Sequence, residues 1–435
     1  MSTIAEVKIW GSTIGAVVLE DGQRVASFQY DSDFARSGIE VSPLMMPLSN
    51  RVYSFPNLAQ ESFHGLPGLL SDSLPDRFGN ALIDAWLARQ GRGSNSFNAV
   101  ERLCYTGSRG MGALEFVPAT GPQSTPDSLL YVDRLVKLAS EILSHRDHLQ
   151  ANFTEEVSAE AMSEILRVGT SAGGARAKAV IAWNPKTNEV RSGQMNADKG
   201  FEQWLIKFDG VINNRDKELA DPQGYGVIEY AYSKMATDCG ITMSDCRLFK
   251  EGGRCHFMTR RFDRIVQGGK LHMQSLAALA HLDFNQAGVH SYEQAFDAMR
   301  RLELPASATA EMYRRMVFNV IARNQDDHVK NIAFLMDRSG NWSLAPAFDM
   351  TYSYQPSGNW TSSHQMTING KCDNFVLEDF VVCGKSALLK RGQAKAIIND
   401  IRQVVSHWTD YADQVGVNST QRDNIHKTLR LTPFE

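Results

Sequence analysis

No stretch of this 435-residue chain is apolar for long enough to cross a bilayer, and the N-terminus, MSTIAEVKIWG, lacks a basic segment followed by a long apolar run. The expectation is a cytoplasmic chain with no membrane partner and no signal peptide. The six cysteines, at 104, 239, 246, 255, 372 and 383, include no CxxC pair, which speaks against a zinc ribbon or a thioredoxin-type redox site. Scattered thiols in a large chain fit reduced cysteines in cytosol. Positive charge is not in excess: 45 lysines and arginines against 49 aspartates and glutamates leave −4. That balance excludes nucleic-acid binding through bulk charge and leaves only a local basic face. The run Lys385, Lys390, Arg391, Lys395 is the one short basic face, and a solvated helix surface is its simpler reading. Repeats and low-complexity tracts are absent.

What is present is an ordinary globular composition, 43% apolar and 22% charged, long enough for two or three domains. The run Ala119–Asp127 (ATGPQSTPD) cannot continue a periodic structure and marks a linker. Units are expected at 1–120, 121–262 and 263–435. The opening reads as a β-hairpin: apolar residues alternate from Val7 through Ile9 and Ile14 to Leu19, Asp21-Gly22 turns the chain, and Val25–Tyr30 returns. Helices are expected over Asn80–Arg89, Leu129–His145, Glu155–Leu166 and Val227–Cys239, the last with Gly240 as its cap. Strands are expected over Lys178–Trp183, Gln203–Phe208 and His256–Arg261. From about residue 284 the pattern is helical, interrupted by one hairpin near Asn331–Phe348. Mixed sheet followed by helices predicts a two-lobed α+β nucleotide-binding fold.

The most informative segment is Ile321-Ala-Arg-Asn-Gln-Asp-Asp-His-Val-Lys-Asn331, after a helical run over Glu311–Arg323. Asp326 and Asn331 have the D-x4-N separation of a kinase catalytic loop. An aspartate there orients the attacking hydroxyl and takes its proton, while an amide oxygen one loop-turn away holds magnesium over the phosphates. After a hairpin comes Phe348-Asp349-Met350, which places a second magnesium-binding acid where a kinase presents one. Magnesium takes one or two protein oxygens plus phosphate and water, so Asn331 and Asp349 suffice. A lone Asp-Asp-His is ordinarily an exposed loop; the ordered series is what carries the reading. His328 has no second histidine at zinc spacing and reads as a brace for the loop.

Upstream, Val168-Gly-Thr-Ser-Ala-Gly-Gly-Ala-Arg-Ala-Lys-Ala179 offers glycines that let backbone N–H groups line up on an anion. It is not a Walker A loop, because Ala175-Arg176 stands where Gly-Lys is required. By itself such a turn fits a phosphate loop or a plain hairpin. The equally glycine-rich Tyr105–Ala113 has no lysine on a following strand and reads as structural. Trp204-Leu-Ile-Lys207-Phe supplies the strand-borne lysine that touches phosphate, with Glu229 as its partner. Lys178 is the rival; it lies close to the glycine turn, and an exposed strand end is its simpler explanation. Met258, Thr259, Arg260 and Arg261 are candidates for binding adenine through backbone at the crossing between lobes. Arg261-Phe-Asp-Arg264 reads equally well as a salt-bridged corner.

These blocks together resemble the HipA family of bacterial toxin kinases. The resemblance rests on Leu70-Ser-Asp-Ser-Leu-Pro-Asp76, Gly112-Ala-Leu114, Ser171–Lys178, Leu205-Ile-Lys207, Arg261–Arg264, Asp326–Asn331 and Phe348-Asp-Met350. It implies a protein-kinase-like fold with a small β-rich N-terminal subdomain and a mainly helical C-terminal lobe. It implies a serine/threonine kinase with Asp326 as base, Asn331 and Asp349 on Mg2+, and Lys207 on ATP. The nucleotide site would also draw on Ala172, Gly173, Gly174, Ala175, Lys178, His328 and Lys330. Ser171 would be an autophosphorylation site, with Thr170 beside it. Implied partners are a HipB-like helix-turn-helix antitoxin, operator DNA through that complex, and a protein substrate such as an aminoacyl-tRNA synthetase. One departure is visible: Ala177 stands where many members carry proline. A small-molecule phosphotransferase and a catalytically inactive co-repressor are the competing readings.

Overall fold

The computed structural model describes residues 2–122, 129–144, 159–169, 176–193, 200–211, 215–216, 219–220, 223–265 and 269–434. The N-terminal unit is built on five antiparallel strands in the spatial order Val52–Tyr53, Ser27–Tyr30, Ser12–Leu19, Thr3–Ile9 and Leu114–Val117. The single hairpin expected over 7–30 is therefore a meander. The chain already reverses at Trp10-Gly11, where φ is 50° and 87°. Two successive left-handed residues make the tight turn whose twist matches the strands it joins. Tryptophan at its first position gives no sequence cue. Alternation buries Ala5, Val7 and Ile9 of the first strand, and Val17 and the bulged Ile14 of its neighbour join the same core.

A second five-stranded sheet follows, in the order Cys246–Glu251, Arg254–Arg260, Glu202–Lys207, Lys178–Trp183, Val190–Ser192, antiparallel throughout. The sequence reading found its three inner strands and missed both edges. One face is covered by the helices Arg77–Arg89, Val132–Ser144 and Ala159–Gly169, whose Phe78, Leu82, Leu135 and Ile165 pack on Trp204, Ile206 and Met258. The helix expected from Leu129 starts later because Leu129 bridges to Arg191 in the sheet.

The C-terminal part is helical, with Tyr292–Arg301, Ala306–Ile321, Leu377–Ser386, Gln393–Ser406, Trp408–Val415 and Ser419–His426 around Phe296, Tyr313, Phe318 and Trp408. A three-stranded sheet, His272–Ser275, Ala333–Met336 and Trp342–Leu344, includes the expected hairpin. Packing crosses the divisions expected at 120 and 262. Helix Arg77–Arg89 belongs to the core of the second sheet, and helix Tyr225–Asp238 puts Tyr232 and Met235 into the helical core. The latter helix thereby spans the joint between the lobes. Among the described residues no helix is long and apolar enough to cross a membrane.

Candidate functional site

In the strand Glu202–Lys207 the side chains part by alternation. Trp204 and Ile206 enter the core, while Leu205 and Lys207 face a cavity of about 830 Å³. Lys178 lies directly opposite Lys207 on the neighbouring antiparallel strand, so two ammonium groups share one face. Like charges so placed destabilise a sheet unless each meets an acid. Lys207 Nζ donates to Glu229 Oε1 at 2.6 Å and to Asp349. Lys178 Nζ lies 3.4 Å from Asp76 Oδ2. With 2% of its surface accessible, Lys178 is not the exposed strand end expected of it. Helix Arg77–Arg89 covers that end, and the aspartate that caps the helix by accepting from Gly79 N faces the lysine.

The electrostatics follow from this clustering. Burial alone would push the Asp349 carboxyl up; Lys207, then Lys178 and Arg176, outweigh it and hold it at about 2. Burial opposes the charge on Lys207, yet Asp349 and Glu229 raise its pKa and keep it an ammonium. For Asp76 burial wins over Lys178, and the acid stands at about 6. Arg176 stacks its guanidinium on Tyr225, 3.9 Å from the ring centre.

Helix Ala306–Ile321 delivers the Asp326–Asn331 segment. Asp326, His328, Lys330, Asn331 and Asp349 all line the cavity that holds Lys178 and Lys207. Asn331 Nδ2 donates to the Asp326 carbonyl at 2.8 Å, which closes the loop and leaves the amide oxygen as the group offered to a cation. Asp327 is built into the support instead: it accepts from Tyr292 Oη at 2.7 Å, His364 Nδ1 at 2.9 Å and the Gln365 amide at 2.8 Å. Asp349 has φ of 53°, a left-handed conformation that aspartate tolerates better than most residues. Trp360 Nε1 donates to Asp326 Oδ1 at 2.6 Å.

His328 meets the loop's surroundings by packing and not by hydrogen bonding: its Nδ1 is buried without such a partner, and its ring lies against that of Phe284 with centres 6.0 Å apart. Lys330 lies over the same ring at 4.6 Å. Met258 is fully buried inside the second sheet, on an inner strand with neighbours on both sides. The amides of Arg260 and Arg261 are spent on the Asp245 and Gln203 carbonyls, at 2.8 and 2.9 Å. Thr259, Arg260 and Arg261 reach the cavity as lining residues, with the Arg260 and Arg261 amides not free to donate to adenine.

Arg261-Phe-Asp-Arg264 is a buried corner. Asp263 bonds both arginines and accepts from Gly112 N at 2.7 Å, and both arginines donate to Gly110 O. The glycine-rich Tyr105–Ala113 turn is thus fixed as structure. Thr170, Ser171, Ala172, Gly173, Gly174 and Ala175 lie outside the described residues. Sequence reasoning missed Asp76, Arg176 and Trp360 as site residues. Arg176 and Asp76 stood inside quoted motifs, whereas nothing in the sequence marks Trp360.

Asn331 and Asp349 together offer one amide oxygen and one ionised carboxylate. That donor set fits magnesium completed by phosphate and water. No group of three or more His, Cys, Asp or Glu among the described residues is placed to hold a metal by itself.

The fold and site define a two-lobed α+β protein of HipA type, with a β-rich N-terminal region and a helical C-terminal part. The HipA N-terminal domain model matches residues 5–117, and the HipA-like C-terminal domain model matches 170–408. The chain belongs to the HipA family. Among solved structures it is similar to a Shewanella oneidensis MR-1 toxin–antitoxin complex of HipA, HipB and operator DNA, at 15% identity and a TM-score of 0.66 over 97% of this chain and 94% of that one. A Helicobacter pylori proinflammatory kinase, CtkA, aligns at 14% identity and a TM-score of 0.36 over 52% of this chain and 84% of its own. No curated protein matches.

Proposed function

We propose that this protein is a cytoplasmic serine/threonine protein kinase that uses ATP and Mg2+ and forms the toxin half of a toxin–antitoxin pair. One observation carries the reading: Lys207, held by Glu229 and Asp349, shares a single cavity with Asp326 and Asn331. In the reaction a protein hydroxyl oxygen attacks the γ-phosphorus of ATP as the bond to the β,γ-bridging oxygen breaks and ADP departs. The hydroxyl proton passes to Asp326. Lys207 and Lys178 set positive charge on the phosphate side of the cavity, and Glu229 keeps Lys207 aimed there. Asn331 and Asp349 would hold magnesium, which would neutralise phosphate charge.

Ser171 is the proposed autophosphorylation site, with Thr170 as its neighbour. A phosphate there adds about −1.5 to −2 charges where ATP phosphates bind and so silences the enzyme. A HipB-like helix-turn-helix antitoxin is the proposed partner, with operator DNA bound through it. The HipA–HipB–operator assembly of the Shewanella protein supports that pairing.

The test is incubation of the purified chain with γ-labelled ATP and magnesium, followed by phosphosite mapping. Label on Ser171 or Thr170 that disappears in Asp326→Gln is the expected result. Failure to bind ATP at millimolar concentration overturns the reading in favour of an inactive co-repressor.

A further inference from the structure

We infer that Trp360 is a positioning residue for phosphoryl transfer, its indole N–H fixing the orientation of the Asp326 carboxylate, an inference that rests on the kinase reading above. The indole nitrogen can only donate, so Oδ1 of Asp326 accepts in their 2.6 Å contact, and such a donor favours the carboxylate, the form that takes the hydroxyl proton. A carboxylate otherwise turns about its Cβ–Cγ bond. Pinning one oxygen fixes the direction of the other.

The segment that brings Trp360 to the base is tied on both sides of it. Gln325, immediately before Asp326, donates through its amide to the Ser353 carbonyl at 3.1 Å and through Nε2 to the Thr361 carbonyl at 3.0 Å. Asp327, immediately after, accepts from the Gln365 amide at 2.8 Å. Gln365 Nε2 in turn donates to the carbonyls of Trp360 and Gln325. Both glutamines are buried, at 0% and 2% accessible surface. Segment 353–365 and the catalytic loop are therefore cross-linked by hydrogen bonds at three successive residues of the loop. Trp360 is half-buried, with its indole N–H turned onto the base.

The experiment compares full-length wild type, Trp360→Phe and Trp360→His. Single-turnover transfer from saturating Mg-[γ-32P]ATP is counted as label in protein plus released phosphate. Affinity is measured with Mg-AMPPNP. Trp360→Phe keeps the ring and loses the donor: transfer falls about 10- to 100-fold, while AMPPNP affinity stays within about twofold. Trp360→His restores a ring N–H and lies between Phe and wild type. Wild-type transfer by Trp360→Phe overturns the role of Trp360 and leaves the kinase reading standing. So does a loss of rate matched by an equal loss of AMPPNP affinity in both variants, the behaviour of a structural strut. No transfer by the wild type overturns the kinase reading and this role together.

Discussion

Lys178 and Lys207 stand directly opposite each other on adjacent antiparallel strands, each matched by an acid from outside the sheet. The two acids differ in kind, which predicts unequal costs. Lys207→Met strands Glu229, 3% exposed at its side chain, beside Asp349. Loss of one partner from a buried ion pair costs about 3 kcal/mol or more. Lys178→Met strands Asp76, whose carboxyl is already lifted to about 6 by burial. Without Lys178 it rises further and takes up a proton at pH 7 instead of remaining a stranded charge, so the loss is about 1 kcal/mol. Urea unfolding of both variants at pH 7 checks the ranking, and equal or reversed losses defeat it.

How far the site could be read in advance follows from the same pair. Lys207 was legible because one cation in an apolar strand interior must have a partner, and Glu229 sits at the first turns of the next helix. Lys178 was misjudged because its cover comes from a helix far back in the chain, and no periodicity announces a contact at that separation. Asp326, Asn331 and Asp349 were legible through spacing, since loop chemistry confines them to short stretches. Trp360 was not, because a single hydrogen bond from an irregular segment leaves no pattern. In the fold, Lys178–Trp183 was found to the residue because a fully buried strand reads as an apolar run. The Trp10-Gly11 reversal escaped because its first residue carries no turn signal.

Stability should fall in mild acid through two buried histidines. His256 accepts from the Asp209 amide at Nδ1, and His272 pairs with the Val41 carbonyl; burial pushes each down to about 4. The unfolded chain protonates them near 6.5, so their contribution is full above 6.5 and is lost as pH falls towards 4. Each removes about 2 kcal/mol by pH 5. Asp76 works in the opposite sense: with its acid raised to about 6, its contribution is full below 3.8 and is lost as pH rises through 6. Urea midpoints at pH 7, 6 and 5 should therefore fall for the wild type. They should fall more steeply for Asp76→Asn, which keeps the helix cap, and less steeply for His272→Gln.

Asp263→Asn tests the buried corner. The carboxyl is held at about 2 because Arg261 and Arg264 overcome its burial. The amide keeps the shape and drops the charge, leaving Arg261, 1% exposed at its side chain, uncompensated. A loss of about 3 kcal/mol or more at pH 7 is expected. The wild-type advantage is present above 3.8 and is lost as pH falls towards 2, so the gap between the two proteins should close in that window. A gap that stays constant down to pH 2 would count against the charge as its origin.

The C-terminal tail should be needed for activity without touching the cavity. Arg430 donates to His364 Nε2 at 2.9 Å and to the Val320 carbonyl at 3.1 Å, and it pairs with Asp373. Arginine offers only donors, so Nε2 of His364 accepts and Nδ1 carries the proton that goes to Asp327, the residue beside the proposed base. The chain Arg430, His364, Asp327 thus fixes the tautomer that holds the loop from behind. Arg430→Ala releases the imidazole to choose either nitrogen and weakens a buried hydrogen-bonded carboxylate by about 1–3 kcal/mol. Phosphoryl transfer should drop about tenfold or more with nucleotide affinity little changed, because Lys207 and Asp349 are not reached by this chain of contacts. Arg430→Lys retains a donor but not the fork that spans His364, Val320 and Asp373, and should recover only part of the rate. Single-turnover kinetics beside AMPPNP titration decide the matter: a parallel loss of affinity would mean that the tail supports the nucleotide side of the cavity instead.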